Sequence, residues 1–252
     1  MNSPFDLSGK TAIVTGANTG LGQGIALALA GAGAAVSLVG RSAPDDTVAQ
    51  IEAAGGTCCV VQADLSNLES IETIIEQSQS QLGSLDILVN NAGIIQRNEA
   101  IDFTIEEWDS VLNVNLRTVF FLSQAFAQTC VEASIGGKII NIASMLSYQG
   151  GIRVPSYTAS KSGLMGLTRA LANEWAGANI NVNAIAPGYF ATNNTAALQA
   201  DPKRSAEILG RIPAGRWGQP SELGGAAVFL ASSASDYVHG ATLPVDGGWL
   251  AR

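Results

Sequence analysis

The feature that most constrains this chain is a regular alternation of apolar runs, each about five residues long, with longer amphipathic stretches. A strand buried on both faces reads as a continuous apolar run, and parallel neighbours need a long crossover, so the alternation describes a parallel sheet covered by helices on both sides. The runs lie at 11–15, 35–39, 58–62, 85–90, 138–142, 181–186 and 242–245. Helical stretches between them include 21–30, 67–82, 105–132, 157–176 and 222–231, with Gly31 and Gly33 placed to end the first and Gly177 the fourth. Right-handed crossovers then give an α/β fold: a Rossmann-like, doubly wound parallel sheet of about seven strands. No repeat or linker interrupts it, so 1–252 reads as a single domain whose halves meet near residue 140. The least regular part is 187–220, which holds Pro202, Pro213 and several glycines; such a segment at the carboxyl end of a strand suits a lid over a ligand.

With 47% hydrophobic and only 13% charged residues, the chain has ample material for a core. Lys and Arg number 13 against 21 Asp and Glu, and no charge forms a block, which argues against a nucleic-acid groove or an anionic membrane surface and for a small-molecule partner. Residues 1–10 lack a basic start followed by an apolar stretch, and no apolar window reaches membrane-spanning length, so a soluble cytoplasmic protein is expected. Cys58, Cys59 and Cys130 have no metal-ligand spacing; adjacent Cys58 and Cys59 should face opposite sides of a strand, as reduced thiols.

Directly after the first strand comes Thr15-Gly16-Ala17-Asn18-Thr19-Gly20-Leu21-Gly22, which opens a helix. Its glycines permit a tight turn and close approach of backbone to a pyrophosphate, while the helix start offers N–H groups and partial positive charge. The end of the second strand often carries an acid that holds the adenosine ribose. Here Gly40 is followed by Arg41 and Ser42, and an arginine there suits a 2′-phosphate, as in NADP(H).

Ser144 lies just past the 138–142 strand; thirteen residues on, Tyr157 opens a helix, and Lys161 follows one turn later on the same face. Such a group fits carbonyl reduction, because hydride transfer to a ketone leaves an alkoxide that needs a proton. A free phenol titrates near 10, and a lysine cation about 4 Å away at an effective dielectric near 20 would lower it by roughly three units, to near neutrality. The Ser144 hydroxyl would hold the carbonyl oxygen.

Taken together, these residues resemble the tyrosine-dependent short-chain dehydrogenase/reductase family from about residue 7 to the C-terminus. The resemblance implies a cofactor half at about 7–140 and a catalytic and substrate-lid half at about 141–252, binding NAD(H) or NADP(H). It assigns cofactor contacts to Thr15–Gly22, to Asp64 with Leu65, to Asn91, Ala92 and Gly93 after Asn90, and to Pro187, Gly188 and Thr192. It assigns catalysis to Asn115, Ser144, Tyr157 and Lys161, with Asn115 positioning a water that relays protons through Lys161. It also implies a homotetramer in which the 105–132 and 157–176 helices pair through residues such as Phe120, Phe121, Phe126, Leu164, Leu167 and Leu171, with 240–252 as a second contact.

Closer runs at 19–24, 141–161, 185–195 and 204–218 resemble a bacterial group within that family, the 2-deoxy-D-gluconate 3-dehydrogenases, also named 2-dehydro-3-deoxy-D-gluconate 5-dehydrogenases. That resemblance implies a deoxy sugar acid as substrate, interconverting 2-dehydro-3-deoxy-D-gluconate and 3-deoxy-D-glycero-2,5-hexodiulosonate. An anionic substrate wants a cation near the reacting carbon, which makes Arg97, Arg153, Arg204 and Arg211 candidates, with Met145 and Gln149 beside Ser144 as further lining. The sole histidine, His239, is not needed for proton transfer if Tyr157 serves. Competing readings are reduction of an alginate-derived deoxyhexulose uronate, reduction of a 3-oxoacyl chain on an acyl carrier protein, and a catalytically silent nucleotide-binding protein. The net charge of -8 speaks against docking an acidic carrier, and retention of Ser144, Tyr157 and Lys161 against silence.

Overall fold

The computed structural model describes residues 3–252. Its strands are β1 (Thr11–Thr15), β2 (Ala35–Gly40), β3 (Cys58–Gln62), β4 (Ile87–Asn90), β5 (Gly137–Ile142), β6 (Ile180–Pro187) and β7 (Thr242–Val245). They form one parallel sheet in the order β3-β2-β1-β4-β5-β6-β7. The strand order reverses direction between β1 and β4, which opens a crevice at their carboxyl ends where an α/β sheet takes its ligand.

The main helices are α1 (Gly20–Gly31), α2 (Asp45–Ala53), α3 (Ser70–Leu82), α4 (Ile105–Leu112), α5 (Thr118–Glu132), α6 (Pro155–Trp175), α7 (Ala196–Ala200), α8 (Pro202–Arg211) and α9 (Gly224–Ala231). The two-residue period of β1 shows why both faces need cover. Ala12 and Val14 join Ile25 and Leu29 of α1 and Leu230 of α9 in one core, whereas Ile13 joins Ile74 of α3, Phe126 of α5 and Leu171 of α6 in the other. Phe126, Leu164 and Leu171, expected at a subunit contact, are therefore interior to this subunit; of that set only Phe121 is exposed, at 36%.

Several local expectations change. α1 includes Gly31, and its turn-off comes at Gly33, which has φ +104. Gly177 does not end α6; it sits inside a short 3-10 turn, and Asn179, in the left-handed region at φ 59, reverses the chain into β6. The expected helix at 105–132 is two helices joined by a π turn over Asn113–Arg117, closed by the Thr118 N–H donating to the Asn113 carbonyl. π turns insert one extra residue and favour functional positions. Here the inserted turn carries Asn115, which is fully buried. Segment 187–220 is also more ordered than its composition suggests: Asp201 caps α8 by accepting from the N–H groups of Lys203 and Arg204 at 3.0 and 3.1 Å, and Pro202 occupies the first turn.

Beneath the crevice a chain of buried polar groups ties β4 and β5 to α5 and α6. The Asn90 amide donates to Ser123 Oγ at 3.0 Å and to Asn141 Oδ1 at 2.9 Å; the Asn141 amide donates to Thr168 Oγ1 at 3.0 Å, which donates to the Leu164 carbonyl at 2.8 Å. Asn141→Ala would strand partners on both sides in a dry core, so a loss of about 2–4 kcal/mol of stability is expected, read as a lower melting temperature. An unchanged melting temperature would mean the chain of hydrogen bonds is not cooperative.

Candidate active site

The glycine turn is held from three directions. Thr15 Oγ1 accepts from the N–H groups of Asn91 and Ala92, both at 3.0 Å, and the Asn91 amide donates to the Thr15 carbonyl at 2.8 Å. Thr47 of α2, fully buried, donates to the Ala17 carbonyl at 2.8 Å. Gly16 and Gly20 have φ values of +67 and +59, and a Cβ on Gly22 would lie 2.1 Å from the Gly16 carbonyl oxygen, so side chains are excluded from the turn. Thr19 at the N-cap of α1 makes no side-chain capping bond, and the first turn holds no acid. The helix start thus keeps N–H groups free for an anion, and the residues fit a dinucleotide pyrophosphate. At the far end of the turn Asn18 donates to Ser42 Oγ at 3.1 Å, next to Arg41. Across from them Asp64 is held below the usual carboxylate range by hydrogen bonds from Ser66, with a smaller pull from Arg41.

One cavity of about 1130 Å³ runs from this cradle across the carboxyl ends of the strands to α8. Its walls include Gly16, Asn18–Gly22, Arg41, Ser42, Asp64, Leu65, Asn91–Gly93, Pro187, Gly188 and Thr192, and then Ser144, Tyr157 and Lys161. Gly188 packs so closely against Asp246 that a Cβ there would meet the Asp246 Cα at 2.6 Å. Thr192 closes against Gly20, where an added Cβ would meet Thr192 Cγ2 at 3.4 Å.

Pro155 starts α6, so Tyr157 falls in its first turn and Lys161 one turn deeper on the same side. Lys161 Nζ donates to the Ile142 carbonyl at 2.6 Å and lies 5.7 Å from the Tyr157 ring centre. Burial pushes the Lys161 ammonium down to about 8. The Tyr157 phenol moves up, not down: loss of water around it outweighs a Ser144 hydrogen bond and the charge of Arg97, both of which favour the phenolate. In the cofactor-free site, therefore, Lys161 does not bring the phenol down to neutrality. The lysine donates to a backbone carbonyl and is itself destabilised by burial, while Ser144 and Arg97 both favour the phenolate.

Asn115 does not line the cavity. Its Oδ1 accepts from the Ile94 N–H at 2.8 Å, and its amide donates to the Ile94 carbonyl at 2.9 Å and to Ser160 Oγ at 3.2 Å. Its side chain fixes the turn after Gly93 and the start of α6.

At the opposite end the cavity is walled by Met145, Gln149, Arg97, Arg204 and Arg211. Arg153 departs from expectation: it lies outside this wall, in the left-handed region at φ 64, with its Nε 3.1 Å from Glu99. Arg204 pairs with Glu207 one turn away at 2.7 Å. Arg211 stacks 4.0 Å from the Trp249 ring centre and donates to Gln149 Oε1 at 3.0 Å. His239 stands apart from the cavity, its Nε2 3.2 Å from the Asn181 amide.

A family model described as enoyl-(acyl carrier protein) reductase matches residues 16–250. The chain is 60% identical to the 2-dehydro-3-deoxy-D-gluconate 5-dehydrogenase of Escherichia coli strain K12 over 99% of both chains, and 59% identical to that of Dickeya dadantii strain 3937 over 98% of both. The chain belongs to the short-chain dehydrogenase/reductase family. Among solved structures, an Agrobacterium tumefaciens protein assigned as a 2-deoxy-D-gluconate 3-dehydrogenase, crystallised with bound NADP, is 55% identical with full coverage of both chains and a TM-score of 0.95. As a short-chain dehydrogenase/reductase the chain is an NAD(P)-dependent oxidoreductase, and its cradle fits that cofactor on its own geometry.

Some residues that build this short-chain dehydrogenase/reductase site were not singled out in the sequence. Thr47 was missed because α2 was, although Pro44-Asp45-Asp46 is a usable start signal with acids in the first turn. Ser147, whose hydroxyl donates to the Lys161 carbonyl at 2.6 Å, and Trp249 left no local signal; only the tertiary fold brings them to the site.

Proposed function

We propose that this short-chain dehydrogenase/reductase interconverts a ketone and a secondary alcohol on a deoxy sugar acid, 3-deoxy-D-glycero-2,5-hexodiulosonate and 2-dehydro-3-deoxy-D-gluconate. The observation that carries this reading is the single cavity, which joins the glycine cradle to Tyr157 and then to Arg97 and Arg211. Among the described residues neither arginine has a carboxylate partner. Gly16–Gly22, Asp64, Asn91–Gly93, Pro187, Gly188 and Thr192 would hold the cofactor, whose nicotinamide supplies or accepts the hydride. Ser144 holds the substrate oxygen, and Tyr157 gives it a proton in reduction and takes one in oxidation. Lys161 and Arg97 add positive charge beside the phenol, and Asn115 fixes the turn and helix that carry the group. The relatives of the same substrate name support the assignment.

Turnover of a panel of deoxy-ketosugar acids, one neutral analogue and a 3-oxoacyl thioester, each with NADH and NADPH, tests it. Highest kcat/KM on the hexodiulosonate is expected; preference for the thioester or the neutral analogue would overturn the reading. Arg41 is proposed to hold a 2′-phosphate. Arg41→Ala should then weaken NADPH by about 1.5–3 kcal/mol in kcat/KM and leave NADH nearly unchanged, and equal effects on both would make Arg41 a bystander.

The same reading includes a cytoplasmic homotetramer. It is supported by apolar side chains left exposed on the subunit, among them Ile105, Trp108 and Phe121 on α4 and α5, and by three free cysteines. No helix among the described residues is long and apolar enough to cross a membrane. Light scattering should give roughly four times the 25.9 kDa chain mass; a monomer at micromolar concentration would refute the assembly.

A further inference from the structure

Of the four candidate arginines, Arg153 lies outside the cavity and pairs with Glu99, and Arg204, in the wall, already satisfies Glu207. Arg97 and Arg211 remain without an acidic partner among the described residues, and they sit in different company. Arg97 bears on the Tyr157 phenol, so an anion bound tightly there would cancel the charge that helps the phenolate.

Arg211 is held in place as a receptor would be. Its guanidinium carbon sits over Trp249, 4.0 Å from the ring centre, and Gln149 Oε1 takes one N–H at 3.0 Å. Trp249 is in turn wedged by Tyr189, whose ring meets both Trp249 and Trp217 edge-on at 4.9 and 5.5 Å. The C-terminal Arg252 clasps the end of α8, donating to the carbonyls of Gly210 and Arg211 at 2.8 and 3.2 Å. A guanidinium has five donors, and the stack and the Gln149 bond use one face and one N–H, leaving a fork for a planar two-oxygen anion. Fixing the fork beforehand removes most of the ordering cost of binding.

Resting on the sugar-acid reading, we propose that Arg211, stacked on Trp249 and steadied by Gln149, is the carboxylate anchor of the substrate. Arg252 is then a positioning residue that sets the anchor through α8. Binding energy from a group remote from the reacting carbon, made equally in ground and transition states, appears in KM.

Steady-state kinetics and calorimetry of the NADP-loaded enzyme with 2-dehydro-3-deoxy-D-gluconate and a neutral deoxyketose test this. Arg211→Ala should raise KM and Kd for the acid by about 30- to 1,000-fold, with kcat within about threefold and the neutral sugar nearly unaffected. Arg211→Lys, which keeps charge but loses the fork and the stack, should recover only part of the loss. Arg252→Ala should raise KM for the acid about threefold to tenfold, again without touching the neutral sugar. Equal losses on acid and neutral substrates would show that Arg211 only supports the lid, and loss of acid selectivity in Arg97→Ala but not Arg211→Ala would move the anchor to Arg97; either result overturns the assignment while leaving the sugar-acid reading intact. A wild-type enzyme that fails to turn over the acid would overturn both.

Discussion

Tyr157→Phe is expected to lower kcat by about 10²–10⁴-fold while leaving cofactor affinity within a few-fold of wild type. The substitution removes one oxygen and keeps the ring, so the packing of α6 against the cavity wall should survive. The argument does not require the resting phenol to be acidic. Burial holds its proton on, which suits a donor in the reducing direction. In the oxidising direction the phenolate must be generated beside Ser144 and Arg97, the two groups that favour it. The deficit should therefore be at least as large for alcohol oxidation as for ketone reduction, measured by single-turnover rates in both directions. Substantial activity in either direction would remove Tyr157 from the chemistry.

Much of this architecture is legible from local pattern, because each core strand is apolar on both faces and each crossover needs a helix. β1, β3 and β7 begin and end where their apolar runs do, and the glycine turn is fixed by backbone conformations that only glycine adopts cheaply. Where reading failed, the deciding interaction was tertiary. The π turn at Asn113–Arg117 has no composition of its own, and the bonds its Asn115 makes to Ile94 and Ser160 come only with the tertiary fold. Asn179, not Gly177, takes the left-handed conformation that leads into β6, and glycine count alone does not rank the two. Order within the 187–220 segment has a different reason: the Asp201-Pro202 pair is an ordinary helix start, hidden in a stretch whose prolines and glycines suggest irregularity. The arginine positions were visible, whereas their partners were not, and it is the partners that separate Arg153 and Arg204 from Arg211.

Lys161→Met should cost on the order of 10²-fold or more in turnover and at the same time change how stability depends on pH. In the folded protein the Lys161 ammonium is held at about 8, below its ordinary 10.5, because burial disfavours the charge. The unfolded chain therefore binds more protons than the folded one across the window from about pH 8 to 10.5, and stability rises with pH there; below pH 8 lysine is charged in both states and the full penalty is present. At 1.36 kcal/mol per unit, the interval from about 8 to 10.5 corresponds to roughly 3 kcal/mol that wild type regains on deprotonation. A methionine of similar length carries no such term. Comparing cofactor-free Tyr157→Phe with Tyr157→Phe/Lys161→Met removes the neighbouring phenol and cancels the groups remote from the site, so the stability difference should swing by about 3 kcal/mol in favour of the lysine-bearing protein between pH 7 and pH 10.5. The hydrogen bond to the Ile142 carbonyl, lost in the variant at every pH, shifts the whole curve but not its slope. Parallel denaturation curves across that range would show that the lysine is not destabilised by its surroundings, and that its charge sits beside the phenol at no cost to the fold.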